Sequence, residues 1–410
     1  MRIKMVKEKQ VGIAILAVAL AALLLVTACA PPTTLPPGER VVKIGDIPML
    51  TGGGGTADQP RFRGTLDYAR YFNEEKGIPG VTIEVAWIDA QTALINTISG
   101  YRVLAGRGVP IIYSGSSTHI EALKPQLEKD QIPFVVGSTT EHLVHPPGWA
   151  YCVWATDGEA AATVLDYFMQ NWREERPPRL QLFVAETPYG MVPAEEATKY
   201  AQNMGFEVLP IETCGYVVLD STTQLLRIRE READLVYIQN LITAAGPIMR
   251  DVERLALQEK MQFAGVEWVL GEPLIKMAPV GVEGFLVPRS FPWIDETEIP
   301  GVKTMTDIQM KYHGKVHRGP EYLGGWICAA ILCEAVKRAL EEVGYENLDG
   351  PAVKRALESM KDFDVDGVIK ITFGPEDRIG TRDYLVYQAQ GGKIVRVSDW
   401  RDAPMLAPEE

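Results

Sequence analysis

The sequence predicts an α/β protein built from two doubly wound, Rossmann-like lobes. Short apolar strands alternate with amphipathic helical stretches, the mark of a parallel-sheet fold, and the rhythm restarts after residue 155. Beyond the leader, about 380 residues remain, more than one typical domain needs. Ligands in such folds bind beyond the carboxyl ends of the strands, so two facing units would share a cleft.

The elements follow in order. Val41-Val42-Lys43-Ile44-Gly45 reads as a strand, followed by a Gly-rich turn from Thr51 to Gly55. Phe62, Leu66, Ala69 and Phe72 recur at helical spacing, and Gly77 and Pro79 end that helix. Val81-Thr82-Ile83-Glu84-Val85 alternates as a second strand, and Ile95, Ile98, Val103 and Leu104 suggest another helix. Pro110-Ile111-Ile112-Tyr113 runs into the polar turn 114–118; Pro133-Phe134-Val135-Val136 runs into Gly137-Ser138-Thr139-Thr140. In the second unit, strands are expected at 180–184, 206–209, 235–238 and 262–265, with a helix over 195–204.

The first residues address the compartment. Arg2, Lys4, Lys7 and Lys9 precede an apolar run over 11–26, short for a bilayer span and right for a signal peptide. Val26-Thr27-Ala28-Cys29 resembles the bacterial lipobox, which implies a signal peptide over 1–28 and a lipid on Cys29. Residues 29–40 are Pro-rich and read as an extended tether. The expected location is extracytoplasmic, with membrane attachment through the lipid alone. The whole chain is −13 and the leader is basic, so the rest is about −16, which argues against a nucleic-acid partner.

Metal and catalytic motifs are thin, and neither a cofactor nor an enzymatic activity is expected. Cys152, Cys214, Cys328 and Cys333 lack metal-like spacing; they read as buried small residues, with a disulfide left open. Asp362-x-Asp364-x-Asp366-Gly367 imitates a calcium loop, but the twelfth position is Phe373 rather than a bidentate acid. His313 and His317 flank Gly314, and His142 and His145 adjoin Pro146-Pro147, poor settings for a metal. The 52–55 glycines lack a following Lys-Ser/Thr. Ser116 and His119 are a weak imitation of a nucleophile and base.

Several segments, in this order and spacing, resemble the type I periplasmic solute-binding proteins, branched-chain amino acid branch. They include Ile44-Gly45-Asp46-Ile47-Pro48-Met49-Leu50-Thr51-Gly52, Ser116-Ser117-Thr118, Tyr189-Gly190, Phe263-Ala264-Gly265-Val266-Glu267 and Glu283-Gly284-Phe285. The likeness covers about 41–400. It implies three hinge crossings, near 153–156, 286–289 and 382–383. Lobe one would then be 41–154 plus 289–381, and lobe two 155–288 plus 382–403. It also implies a permease–ATPase complex as partner.

A zwitterion needs two kinds of partner. Its carboxylate suits hydroxyls and free N–H groups at helix starts, offered by Ser116, Ser117, Ser138, Thr139 and Thr140; N-capping would use the same residues. The resemblance makes Glu267 the ammonium partner and Tyr189 the ring that closes over the ligand. A surface acid or an Arg partner stays open for Glu267, and a structural aromatic for Tyr189. Family aromatics are replaced near Thr56 or Ala57 and near Gln239, Asn240 or Leu241, and paired cysteines by Gln91 and Ser114. The side-chain pocket therefore differs from a leucine binder's, with Trp268, Tyr322 or Trp326 able to reshape it. The ligand alternatives are an aromatic or aliphatic carboxylate, urea or a short amide; the class alternative is a sensory module.

Overall fold

The structure, a computed structural model, describes residues 40–137 and 139–406. Cys29, the leader, most of the tether and Ser138 lie outside the described residues.

β1 (Arg40–Asp46) carries alternating Val42 and Ile44 into the core and ends on a run of fully buried residues. It joins β2 (Val81–Trp87), β3 (Ile112–Ser114), β4 (Phe134–Val136) and β5 (Ala150–Cys152) in the order β2-β1-β3-β4-β5. β1/β3, β3/β4 and β4/β5 are parallel. This is a doubly wound order, whose switch point lies between the carboxyl ends of β1 and β3. Asp46 and Ser114 are the last residues of those strands.

The second sheet repeats the plan. β6 (Arg179–Ala185), β9 (Leu235–Gln239), β10 (Gln262–Gly265) and β11 (Leu286–Arg289) run parallel in that spatial order. β7 (Glu207–Val208) and β8 (Glu212–Cys214) both lie beside β6. Pro210 stands between them, where a residue without an N–H interrupts the ladder. β14 (Asp383–Gln390) adds antiparallel to β11 and carries β15 (Lys393–Arg396) and β16 (Arg401–Asp402). The switch point here lies between β6 and β9. A separate hairpin, β12 (Phe363–Asp364) with β13 (Lys370–Ile371), is what the Asp362–Gly367 motif forms. Asp364 accepts the Gly367 N–H, and Asp366 pairs with Lys76 at 2.9 Å.

Where the chain passes between sheets, two segments run together. Cys152 accepts from Gly380 N at 2.8 Å and donates its N–H to Arg378 O, and Arg382 reaches Glu159 and Asp377.

Twelve α-helices, some of only one or two turns, cover the sheets among the described residues. Those bearing on the site are α1 (Gly55–Tyr71), α2 (Leu94–Gly106), α3 (Ser117–Asp130), α4 (Glu141–Val144), α5 (Asp157–Asn171) and α6 (Pro188–Asn203). After these come α7 (Thr222–Glu230), α8 (Ile242–Arg254), α9 (Glu272–Met277), α10 (Pro300–His313), α11 (Pro320–Val343) and α12 (Gly350–Glu358). Helix α6 begins seven residues before the expected 195, because Pro188 fits a first helical position. On α1 the buried face is Phe62, Thr65, Tyr68 and Ala69, while Leu66 is 39 % exposed, so one member of the expected stripe faces outward. Helix α2 forms where expected, yet Ile95 is 72 % exposed.

Helix α11 is buried along most of its length and crosses α1 at close range. Two glycines permit this. A Cβ on Gly64 would lie 2.2 Å from Tyr322 O, and one on Gly325 would lie 1.9 Å from Arg61 O. Gly325→Ala should push the helices apart and destabilise the protein by about 1–3 kcal/mol, the usual cost of overpacking. A denaturation midpoint equal to that of the unmodified protein would contradict this crossing.

Candidate functional site

A cavity of about 450 Å³ opens between the two switch points. From the first sheet's side it is lined by Met49, Ala57, Asp58, Arg61, Tyr113 and the 115–119 turn. The second sheet's side contributes Thr187, Pro188, Tyr189, Tyr216, Leu241 and Trp268. Asp157, at the start of α5, lines it between them.

Ser116 holds the N-cap position of α3, but its hydroxyl caps nothing; it pairs with Thr118 Oγ1 at 2.7 Å. The N–H groups of Ser117 and Thr118 make no hydrogen bond among the described residues. Helix α6 approaches from the other side. Thr187 is its N-cap, again without a side-chain cap, and Tyr189 N–H is likewise unbonded among the described residues. Two helix starts, each carrying partial positive charge, therefore face one cavity.

The rim is fixed by buried charge. Arg61 donates to Asp46 through two bonds of 3.0 Å and also pairs with Asp58. Burial works against its charge, but Asp46 and then Asp58 outweigh that and hold its pKa well above the ordinary value. The guanidinium lies 4.6 Å from the Tyr113 ring centroid. Gly115 is required here, since a Cβ would sit 2.7 Å from both Arg61 Cδ and Asp58 Oδ1. Two carboxylates around one arginine leave this rim net negative.

Of the residues expected at a ligand, Ser116, Ser117 and Tyr189 line the cavity together. Thr139 and Thr140 are buried beside it but do not line it. Thr139 O accepts Asp157 N at 2.8 Å, while its hydroxyl has no partner among the described residues. Thr140 is the N-cap of α4, its hydroxyl 3.2 Å from His142 Nδ1. Glu267 is 1 % exposed and also absent from the lining, with Trp268, its neighbour in sequence, in the wall.

Behind that wall lie buried polar atoms that meet no hydrogen-bond geometry among the described residues: Glu267 Oε2, Trp154 Nε1, Ser290 Oγ, and Arg289 Nε and Nη1; Trp154 is close enough to Glu267 to oppose the rise in its pKa. Arg289 is anchored through Nη2 to Leu270 O. Burial pushes the Glu267 carboxyl up to about 8; the Arg289 guanidinium opposes this and Asp157 adds to it. Trp154 and Trp268 meet at a tilt of 46° with centroids 5.7 Å apart, and Phe291 meets Trp154 edge-on at 5.4 Å. Tyr322 and Trp326 are core residues against α1. Ala57 and Leu241 do stand in the wall where family aromatics are missing, and Tyr216 supplies an aromatic from another loop.

Sequence reasoning missed Asp58, Arg61, Asp157, Thr187 and Tyr216. One had a legible signal: Thr156-x-x-Glu159 is a capping box, present in the structure, which sets Asp157 on the first turn of α5. The four cysteines are unbridged, three buried and Cys214 partly so. His313 pairs with Asp67 at 2.7 Å, His317 with Glu321 at 3.0 Å, and His145 with Glu141 at 3.0 Å. Among the described residues no helix is long and apolar enough to cross a membrane.

A cleft between two doubly wound sheets, with helix starts converging on it, defines a ligand-binding protein of two-lobed type. The chain belongs to the periplasmic binding protein family, whose model matches residues 41–393. It is a substrate-binding protein of the ABC-transporter type, and that family works outside the cytoplasm. It is similar to a branched-chain amino acid ABC transporter protein from Thermus thermophilus solved with bound valine, at 26 % identity and TM-score 0.83, covering 89 % of this chain and 97 % of that one. It is also similar in fold to a fatty acid ABC transporter substrate-binding protein from Thermomonospora curvata (18 % identity, TM-score 0.78, 90 % and 96 % covered). A solute-binding protein from Rhodopseudomonas palustris, solved with 3,4-dihydroxybenzoic acid, shares 17 % identity at TM-score 0.72, with 89 % and 98 % covered. No curated protein matches the chain by sequence.

The raised pKa of Glu267 has a stability consequence. Its folded value, about 8, lies above the ordinary 4.5. Its contribution is therefore fully present below pH 4.5 and is lost as pH rises toward 8. Urea unfolding of the ligand-free protein should show stability falling over this window, and Glu267→Gln should remove part of the fall. Equal slopes in the two proteins would place the Glu267 carboxylate in contact with solvent.

Proposed function

We propose that this protein captures a small amino acid in the interlobe cavity and delivers it to an ABC permease. The observation that carries the reading is the pair of uncapped helix starts, at Ser117 and Tyr189, facing one cavity near two acids. A carboxylate suits the unbonded amides of Ser117 and Thr118 and the hydroxyls of Ser116 and Ser117, and Ser138, Thr139 and Thr140 would add to them. An ammonium suits the acidic side, Asp157 at the wall and Glu267 behind Trp268. The net negative charge of the Asp46–Arg61–Asp58 rim favours a ligand that brings positive charge. Tyr189 would cover the ligand as the lobes close about crossings near 153–156, 286–289 and 382–383. Lobe one would be 41–154 with 289–381, and lobe two 155–288 with 382–403. Cys29, lipidated after removal of residues 1–28, would tether the protein at the membrane through 29–40.

Arg289 supports a second reading. Its charge acts on Glu267, so the acid needs no ammonium to be neutralised, and a carboxylate without an amine would then serve. The two separate experimentally. A thermal-shift screen of amino acids, amides and aromatic or aliphatic acids identifies the ligand, and calorimetry on Glu267→Gln follows. The amino-acid reading predicts a loss of at least tenfold in affinity with an unchanged fold. Unaltered affinity, or a best ligand lacking an amine, would leave the second reading standing.

A further inference from the structure

His119 belongs to the cavity wall, yet neither the family pattern nor the carboxylate reading gives it work. It is buried, one turn into α3, with Nδ1 2.7 Å from Ser114 Oγ. Its Nε2 makes no hydrogen bond among the described residues. The proton on this ring follows from counting donors. Ser114 Oγ also lies 3.3 Å from Ile47 O and 3.3 Å from Ser116 N. Ser116 N–H can only donate, and Ile47 O can only accept. Ser114 has one hydroxyl proton.

If that proton goes to Ile47 O, the histidine must donate from Nδ1, and every group is satisfied. If it goes to His119, the buried Ile47 carbonyl loses its only partner among the described residues. Orphaning a buried acceptor costs more than leaving a proton on a nitrogen that lines a cavity, so the first arrangement wins. Nε2 is then a bare lone pair on a side chain that lines the cavity. Burial lowers the imidazole pKa to about 4, with Asp58 pulling upward and Arg61 downward, so the ring is neutral at pH 7.

We propose that His119 is a specificity-determining residue whose Nε2 offers a fixed hydrogen-bond acceptor, selecting ligands with an N–H or O–H donor beside the carboxylate. The location of the carboxylate rests on the reading above; the identity of the acceptor does not. An α-amino or α-hydroxy acid supplies such a donor. An α-keto acid presents a second acceptor and is repelled.

The test has two parts. Nitrogen-15 NMR of the imidazole in the unliganded protein should show a protonated Nδ1 and a bare Nε2; a protonated Nε2 overturns the inference whatever binds. Calorimetry then compares aliphatic and aromatic amino acids with their α-hydroxy and α-keto counterparts. The keto acids should bind roughly tenfold more weakly or worse. In His119→Phe that preference should collapse, and His119→Gln should restore part of it. A preference that survives His119→Phe in a folded protein overturns the inference. Binding of none of these acids would overturn the carboxylate reading alone, and the NMR result would still decide the acceptor. Should His119→Phe not fold, the spectrum of the unmodified protein carries the test.

Discussion

Buried amides need partners, and this constraint organises the cleft. Helices α3 and α6 start at opposite sides of one cavity with N–H groups at Ser117, Thr118 and Tyr189 that the described residues leave unbonded. Side-chain caps, the usual remedy, are missing from both starts. Pro188 has no N–H to satisfy, and Ser116 spends its hydroxyl on Thr118. What remains is a pair of positive helix poles aimed at one space, a standing preference for an anionic group.

Rigid surroundings turn that preference into selectivity. Asp46 ends β1, Asp58 and Arg61 sit on α1, and Gly115 follows β3, so one buried ion cluster ties three elements at the first switch point. Such a cluster is expensive to assemble and more expensive to break, because losing the arginine strands two carboxylates. Ser114 and His119 fix the next stretch of rim through one hydroxyl. Across the cavity the rings of Tyr189, Tyr216 and Trp268 surround the uncapped start of α6.

The fold was legible because its elements announce themselves locally. Short apolar runs such as Val41-Val42 and Leu235-Val236 become parallel strands, and turns follow them at the switch points. The start of α6 was legible only to someone who weighed Pro188 over the apolar pattern. Of the cavity's lining, Ser116 and Ser117 were readable from their position after a strand, and Tyr189 from the family likeness. Arg61 and Asp58 were not, since a charged pair three residues apart on a helix ordinarily lies on the surface. Tertiary packing buries them, with α11 crossing α1 from two hundred and more residues away and Tyr113 and Gly115 closing on the guanidinium. The true partner of His119 is Ser114 rather than Ser116, a matter of strand-end geometry that spacing cannot express.

The central claim is that a ligand's acid group completes both helix starts at once. Amide chemical shifts followed during titration with the best ligand from the screen test it most directly. Ser117, Thr118 and Tyr189 should move together, saturate with one dissociation constant and gain protection from hydrogen exchange. A tight ligand that leaves these three amides unshifted and unprotected would contradict the account.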